Sequence, residues 1–582
     1  MPLYVEEFAA AVHAEGTVTI EAGVATLSRD DLPIPDTLRD SVLTRADGLP
    51  TRTREALAVA ALMGDRATAR LVDELVPGPA GWVRAGADAG ILAGTEDGSI
   101  TFRHALIRDV LAQDLPSPER RARHAAIAAI LGTRGGDPLE IAEHWLAADD
   151  AAEGVRRLIE AGEAFVRVHA FRDAATAFRR ALDEDRGTLA DRVGVLERFA
   201  ECSELSGAIG ESARAWAAAA EARAAAGDEG AAAGDQRRRA RALEVQGRWK
   251  RAIEARLAAA AGFSGIGAAA DAAVERLAAA THLRSAASFS AALEVLSFAL
   301  EDAMAAGRPD LEARAMGLKG NVLARLGETE LGLELVRAGL ARSLDHGAAG
   351  AAAELYQRLA DSLEHGGRYE SARNAYLEGA AYCRTQALEP TAQLCLACMA
   401  VVLWQTGDWS GAERTCRDVI ASSDATAHAR TVADGILGLV LAARGRPVSA
   451  RPHLEAALTL ARRIELTAMD LFATWGLAIA DRLDGDLDTA EERCRELVAR
   501  WDRTEERHYV VPMLRWAATF HADRGDGAAV RACAEALARI AAQTGQPEAV
   551  AALGLALGEA ARLDGDASGA ADHLGRALDL LS

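Results

Sequence analysis

Segments rich in Leu and Ala recur along most of the chain, and a glycine follows many of them. These glycines stand at positions 327, 367, 407, 445, 485, 525 and 565. A nearly fixed period, here about 40 residues, is typical of stacked supersecondary units. The pattern therefore predicts helix pairs in which glycine ends the first helix with a positive φ. An Asp, Glu or Ser then opens the second helix.

The residues around each glycine also follow a pattern. An aromatic or large residue stands two positions after the glycine, and a small residue stands five positions after it, as in Trp249 and Ala252. We expect the large residue to cover the joint between the helices and the small one to let them approach closely. Gly247 and Gly327 are separated by twice the period, and Ala287 takes the place of a glycine midway between them. Weaker copies at Gly207 and Phe171 bring the count to about eleven pairs.

Composition agrees with a helical chain and limits its partners. Half of the 582 residues are hydrophobic but only 4% are aromatic, which favours helices over strands. The formal charge of -21 argues against direct binding of nucleic acid, which needs clustered cations. Seven scattered cysteines fit a reducing compartment, and no apolar run reaches the length of a membrane span. We expect a soluble cytoplasmic protein that does not enter a membrane.

The repeat resembles the tetratricopeptide repeat, although its period is longer than the usual one of about 34 residues. Longer helices of this kind look like the repeats of large bacterial regulators of the LuxR and maltose-activator type. The resemblance implies that residues 137–582 form a right-handed α-solenoid of helix pairs. The predicted fold class is thus all-α, with a small winged-helix-like domain before the solenoid.

The part of the chain before the solenoid carries a different resemblance. Residues 2–7, Pro-Leu-Tyr-Val-Glu-Glu, are similar to the segment that closes the nucleotide-binding domain of signal-transduction ATPases with numerous domains, the STAND class, although Met1 stands where that family has Asn. Residues 32–49 and 102–110 resemble the two ends of the winged-helix module in those proteins. The resemblance implies a remnant of the ATPase lid and a linker at 1–31, and a winged-helix-like domain at 32–131. Strand-like runs flanking Asp97-Gly98 predict a β-hairpin within it.

Two parts of such regulators have no counterpart in this sequence. The phosphate-binding loop needs a lysine in a Gly-x-x-x-x-Gly-Lys-Ser/Thr motif, and neither Lys250 nor Lys319 lies in one. A C-terminal helix-turn-helix is also missing, because the sequence ends inside a repeat. The chain therefore looks like the middle and sensor parts of a regulator. Two alternatives stay open: the chain is a piece of a longer gene product, or it is a stand-alone protein whose expected partner is a separate ATPase or DNA-binding subunit.

The sequence contains little that points to catalysis. Cys395 and Cys398 form a Cys-x-x-Cys pair, but zinc needs four ligands and no second pair is near, so we interpret them as packing residues. The glycine-rich stretch 262–267 lacks a preceding strand and a lysine, and we interpret it as a flexible linker between helices. The prediction is a protein that is not an enzyme and that uses no cofactor and no metal.

The leading hypothesis is a sensor or scaffold that binds a protein, a peptide or a small effector in the concave groove. In tetratricopeptide-like units, the residues about 2, 3, 6, 10 and 13 positions before the turn glycine form one stripe of the first helix and face the groove. This rule predicts the following partner-binding residues: Arg314, Asn321, Arg325, Gln357, Asp361, His365, Trp404 and Gln405. The alternative is a transcription factor that binds DNA through residues 32–131, where 12 Arg face 13 Asp and Glu over positions 36–123.

Overall fold

The computed structural model describes residues 18–21, 24–27, 36–78, 81–94 and 99–581. These residues contain 29 α-helices and two short antiparallel hairpins. Within the described ranges, no helix combines the length and apolar character needed to cross a membrane. The chain divides into two compact units, one ending at Ala208 and the other beginning at Ile209.

The first unit holds both hairpins. Strands β1 (Val18–Glu21) and β2 (Val24–Leu27) pair with each other, and β3 (Leu92–Gly94) pairs with β4 (Thr101–Phe102). The second pairing places Leu92 opposite Phe102, so the hairpin predicted around Asp97 and Gly98 is present, although these two residues lie outside the described part. The helices of this unit are α1 (Asp36–Asp47), α2 (Thr51–Met63), α3 (Ala69–Leu75), α4 (Trp82–Asp88), α5 (Ala105–Asp114), α6 (Ser117–Thr133), α7 (Pro138–Ala147), α8 (Ala151–Arg167), α9 (Phe171–Glu184) and α10 (Arg192–Leu205).

One hydrophobic core joins most of the first unit. It extends from Val42 to Ile141 and includes residues of β3 and of the helices on both sides of the hairpin. Leu57, Ile91 and Ile127 are fully buried in it. From α7 to α10 each helix packs on the next, as in a helical repeat. The predicted pair of α10 with the following helix falls across the boundary between the two units.

The second unit consists of helices alone among its described residues. Its first ten helices are equal in length, and a single residue with a positive φ follows almost every one of them at a regular interval. Gly227, Gly267, Gly307 and Gly347 take this role midway between the positions predicted from the longer period. The helices are α11 (Ile209–Ala225), α12 (Glu229–Val245), α13 (Trp249–Gly265), α14 (Ala269–Ser285), α15 (Phe289–Ala305), α16 (Pro309–Arg325), α17 (Thr329–Asp345), α18 (Ala349–His365), α19 (Tyr369–Thr385), α20 (Glu389–Gln405), α21 (Trp409–Ala421), α22 (Ala427–Ala443), α23 (Pro447–Arg463), α24 (Thr467–Asp484), α25 (Leu487–Arg500), α26 (Val510–Asp523), α27 (Gly527–Thr544), α28 (Pro547–Leu563) and α29 (Ala567–Leu581).

The joints between paired helices have the predicted form. Ala372 and Ala412, five positions after the turn glycine, are fully buried, and Gly332 lies so close to the neighbouring helix that a Cβ there would come within 2.5 Å of the Gly320 carbonyl oxygen. Asp408 caps its helix by accepting a hydrogen bond from the Gly411 amide. Ser288 and Glu328 make no such side-chain cap, so this part of the prediction holds for aspartate but not for every opening residue.

The glycine-rich stretch 262–267 is not the predicted linker. Residues up to Gly265 belong to helix α13, and the turn is limited to the residues after it. Gly262 lies within the helix and packs on Ala233, and a Cβ at position 262 would lie only 2.9 Å from the Ala233 Cβ. A close approach between two helices is thus the reason for this glycine, and flexibility is not.

The curvature of the second unit follows from which helices touch. First helices of successive pairs contact one another from α14 through α24, whereas second helices are in contact mainly with their own and adjacent first helices. Helices that pack directly on each other occupy the shorter, inner side of a curved array. The first helices therefore line the concave groove.

A polar compartment and an aromatic cavity in one groove

The structure brings most of the predicted binding residues together, but in two different places. A buried cluster of polar side chains, here called the polar compartment, contains Arg284, Asn321, Arg325, Asp361, Glu364 and His365. An open space further along the second unit, here called the aromatic cavity, has Trp404 and Gln405 in its wall. Both lie on the side formed by first helices.

Asp361 is the centre of the polar compartment. Its carboxylate accepts hydrogen bonds from Arg325 at 2.6 and 3.1 Å, from Arg284 at 3.1 Å and from the Asn321 amide at 2.6 Å. Asn321 is fully buried, and its Oδ1 accepts a further bond from the Arg284 Nε at 2.5 Å. The carboxylate thus accepts four hydrogen bonds, three at Oδ2 and one at Oδ1.

Residues 501–509, here called the strap, join α25 to α26 and reach into the groove. Glu506 is 2% exposed and accepts a bond from Arg325 at 2.9 Å, although the two residues are 181 positions apart. The Tyr509 hydroxyl donates to Glu364 at 2.7 Å. The Glu505 carboxylate accepts a hydrogen bond from the backbone amide of Ser290 at 2.7 Å, so a negative charge lies at the N-terminus of α15. The strap therefore occupies groove positions that the sequence assigned to a partner.

The strap also reaches the aromatic cavity. The Nε2 atoms of His508 and Gln405 are 2.9 Å apart, at hydrogen-bond distance. The ring centroids of His508 and His365 are 4.8 Å apart. His508 lines the aromatic cavity, and the adjacent Tyr509 lines the polar compartment. The strap thus contributes residues to both the aromatic cavity and the polar compartment and lies between them.

Burial and charge together set the protonation of the polar compartment. Burial would raise the pKa of Asp361, but Arg325 and Arg284 outweigh it and hold that pKa well below its usual value. Burial, with a smaller contribution from Asp361, raises the pKa of Glu364 to about 8. Burial and the nearby Arg325 lower the pKa of His365. At neutral pH, Asp361 is therefore ionised, whereas Glu364 is protonated and His365 is neutral.

The remaining predicted residues of the central pairs lie at the edge of this cluster. Arg314 is partly exposed and pairs with Glu354 at 3.2 Å. Gln357 is buried, and its amide nitrogen donates only to the Cys398 sulfur, at 3.7 Å. Both lie on first helices, and neither forms a hydrogen bond to the described residues of the strap.

The aromatic cavity has a volume of about 920 Å³. Trp404 packs edge-on against Trp475 with 5.8 Å between ring centroids, and Tyr369, Trp409 and His508 complete an aromatic wall. A second part of the lining comes from α28 and α29 and is mainly aliphatic, with Leu578 69% exposed. Charged side chains are limited to the Arg515 and Glu548 positions, both of which are exposed.

Several residues of the groove were missed although the same rule would have found them. Arg284 stands three positions before Ala287, and Trp475 stands ten positions before Gly485, so both belong to the stripe. The strap carried no comparable signal. Helices α25 and α26 have 14 residues each, whereas α24 and α27 have 18 each. The two shortenings together make most of the room for the strap, so the regular spacing of Gly485 and Gly525 conceals it.

The cysteine pair has no metal-binding surroundings in the described ranges, where no group of three or more potential ligands is close enough to hold an ion. Cys395 is buried next to Cys383, and Cys398 faces the polar compartment. Burial raises the pKa of the Cys398 thiol to about 12. Both thiols are therefore protonated at neutral pH.

In the first unit, arginines with a candidate role in DNA binding are engaged by acids. Arg66 pairs with Glu140 at 2.8 Å, Arg54 pairs with Asp47 at 2.8 Å, and Arg108 pairs with Asp109 at 2.9 Å. Guanidinium groups neutralised in this way leave little positive charge for phosphates. The described geometry does not strengthen the DNA-binding alternative.

No family model and no curated protein matches the sequence. Similar solved structures include a Signal Transduction ATPase with Numerous Domains that has a tetratricopeptide repeat sensor, from Pyrococcus horikoshii, at 15% identity over 77% of this chain and 68% of that chain, with a TM-score of 0.32. Another is Rap protein complexed with competence and sporulation factor, at 12% identity over 74% and 98% of the two chains, TM-score 0.36. A third, the APC/C hetero-tetramer Cut9-Hcn1, has 13% identity over 81% and 94%, TM-score 0.37. These scores are too low to carry an argument about function.

Proposed function

We propose that the chain is a non-catalytic sensor or scaffold that binds a peptide segment of a partner protein in the aromatic cavity. The observation that carries this proposal is the cavity itself, with its wall of Trp404, Trp475, Trp409 and Tyr369. Its volume of about 920 Å³ is in the range of ligand-binding sites. Large aromatic side chains are the residues that contribute most to binding energy in protein interfaces.

The composition of the cavity favours a peptide over a highly charged effector. One wall is aromatic and the other is aliphatic, whereas the ionic groups Arg515 and Glu548 are exposed. A peptide with apolar side chains would bury them between the two walls and leave its polar backbone toward solvent. The exposed Leu574 and Leu578 would be covered in the process.

Selection of peptides against the purified chain tests this proposal. Linear peptides enriched from a displayed random library would be synthesised and titrated against the wild type and Trp404→Ala by fluorescence anisotropy. We expect Trp404→Ala to weaken binding about tenfold or more, because loss of an aromatic hot spot costs about 2 kcal/mol. Phe298→Ala is the matched control, since Phe298 is a 51% exposed aromatic on the second helix α15. Equal affinity for the wild type and Trp404→Ala, with unchanged circular dichroism, would contradict the proposal.

We further propose that the chain works within a bacterial signalling or transcription regulator, with the ATPase or DNA-binding activity outside residues 1–582. This rests on the resemblance of residues 2–7, 32–49 and 102–110 to STAND proteins. It is supported by the antiparallel pairing of β3 with β4 between α4 and α5, where a winged-helix domain has its wing. Titration with random-sequence duplex DNA at low salt separates this proposal from the DNA-binding alternative, and we expect no binding by the isolated chain.

A further inference from the structure

Arg358 differs from the other arginines of the groove in lacking an ionic partner. No hydrogen bond or ion pair is formed by its guanidinium among the described residues. Its side chain lies beside Asp361, but the four donors from Arg284, Arg325 and Asn321 already occupy that carboxylate. The nearby Glu354 is paired with Arg314.

Arg358 lines a cavity of about 140 Å³ inside the polar compartment, here called the inner cavity. Arg284, Gln357 and His428 also face it, and apolar side chains form the rest of its wall, among them Leu394 and Met469. Gln357 has a weak sulfur acceptor and can donate to a better one. The inner cavity thus combines unused donors at one side with an apolar surface at the other.

The charges around the inner cavity do not balance. Three arginines, at positions 284, 325 and 358, line it together with Asp361, and Glu506 lies outside the lining but pairs with Arg325. The third acid, Glu364, is protonated at neutral pH because burial raises its pKa to about 8. A cation that is partly buried without a partner is costly, and an anion would offset that cost.

The histidines do not add to this charge. Burial, together with Arg284 and Arg358, lowers the pKa of His428 to about 4. Burial and Arg325 lower the pKa of His365 and bring that of His508 to about 4. All three rings are neutral at neutral pH, and the excess is one positive charge on the arginines.

We propose that the inner cavity binds a small organic carboxylate, with Arg358 pairing with the carboxylate group and Leu394 and Met469 contacting the apolar part. Gln357 donates a second hydrogen bond to the same group. The site is separate from the aromatic cavity, so this proposal does not depend on the proposed peptide binding. Occupation of the inner cavity would stabilise the strap, because Tyr509 forms part of its wall.

Thermal unfolding and isothermal titration calorimetry with three probes test the proposal on the full chain. Sodium isovalerate supplies a carboxylate with a branched apolar tail, isovaleramide is its neutral isostere, and inorganic phosphate is an anion without the tail. We expect isovalerate to raise Tm in a saturable manner at constant ionic strength, and isovaleramide to have no such effect. A shift by phosphate but not isovalerate, equal shifts by isovalerate and isovaleramide, or no shift by isovalerate would overturn the assignment.

Variants at Arg358 test whether this residue binds isovalerate. We expect Arg358→Gln to reduce the affinity for isovalerate at least tenfold and to raise Tm without any probe, since it removes an unpaired cation from the compartment. Arg358→Met gives the same result if the glutamine variant folds poorly. Arg515→Gln, in the aromatic cavity, is the control and should leave the response to isovalerate unchanged. An unchanged response in the Arg358 variants would overturn the proposal.

Discussion

The polar compartment and the aromatic cavity both include residues of the same stripe of first helices, yet these residues bond to one another in the first and face an open space in the second. In the polar compartment, Asp361 is hydrogen-bonded to Arg325, and Arg325 also pairs with Glu506 of the strap. In the aromatic cavity, Trp404 and Gln405 face a space of about 920 Å³. The repeat places these side chains in the groove. The strap, which departs from the repeat, contacts some of them and leaves others accessible to a ligand.

The difference also concerns how the two places contribute to stability. In the polar compartment, the buried carboxylates of Asp361 and Glu506 depend on their arginine partners, because loss of a partner leaves a desolvated ion without compensation. The aromatic cavity depends on packing between rings and has few buried charges. Changes in the first should therefore affect folding, whereas changes in the second should mainly affect binding.

Arg325→Ala should give the largest effect. The Arg325 side chain is 8% exposed and is bonded to Asp361 and Glu506, so its loss leaves two buried carboxylates without their main partner. We expect a loss of about 3–5 kcal/mol in the apparent free energy of unfolding, measured by urea denaturation. Arg314→Ala is the control, and its partly exposed pair with Glu354 should contribute at most about 1 kcal/mol. Similar losses in both would mean that the polar compartment is not shielded from solvent.

Stability should also fall as the pH rises, because of Glu364. Its folded-state pKa, about 8, lies above the ordinary value of 4.5, so folding favours the protonated form. The contribution is complete below about pH 4.5 and is lost as the pH rises through 8. The loss is at most about 1.4 kcal/mol for each pH unit in this window.

Comparison with Glu364→Gln isolates this effect. The amide keeps the size of the side chain and does not titrate, and Arg325, Asp361, Tyr376 and Tyr509 remain around it. The difference in apparent unfolding free energy between wild type and variant should shift in favour of the variant from pH 6 to pH 9. A difference that does not vary with pH would show that Glu364 titrates normally.

Leucine substitutions at the helix joints next to the polar compartment and next to the aromatic cavity should destabilise the protein to a similar extent. Ala372 lies in the pair that carries Asp361, and Ala412 lies in the pair that carries Trp404, and both alanines are fully buried. Leucine at either position should overpack the joint and cost about 1–3 kcal/mol. Melting curves of Ala372→Leu and Ala412→Leu measure this directly. An unchanged melting curve for either would show that the repeat register is wrong there.

Gln405→Ala should have the smallest effect on stability. It removes one hydrogen bond to His508 at the boundary of the aromatic cavity, which corresponds to about 1 kcal/mol. Asn321→Ala is its counterpart in the polar compartment and should cost more, because Asn321 bonds to both Arg284 and Asp361 in a fully buried position. Equal costs would remove the distinction between a closed and an open part of the groove.

Much of the second unit could be predicted from local patterns. The spacing of Gly327, Gly367 and Gly407 located the turns, because a left-handed residue is needed wherever a helix ends in this way. The turns midway between them are harder to predict, since Ala387 and Glu465 replace glycine at two of these positions. The eight predicted site residues all belong to first helices, because helical periodicity determines which positions share a face. Their role in binding a partner stays a prediction.

The helices, their joints and the stripe that faces the groove follow from local sequence patterns, since all of these depend on contacts between residues close in the chain. The pairing of Glu506 with Arg325 across 181 positions, and of Tyr509 with Glu364 across 145, depends instead on the folding of the whole second unit. Such contacts arise from the curvature of the whole array, to which every joint adds a small rotation. The accumulated rotation of the array cannot be read from any local sequence pattern. This rotation brings the strap against the polar compartment and leaves the aromatic cavity open.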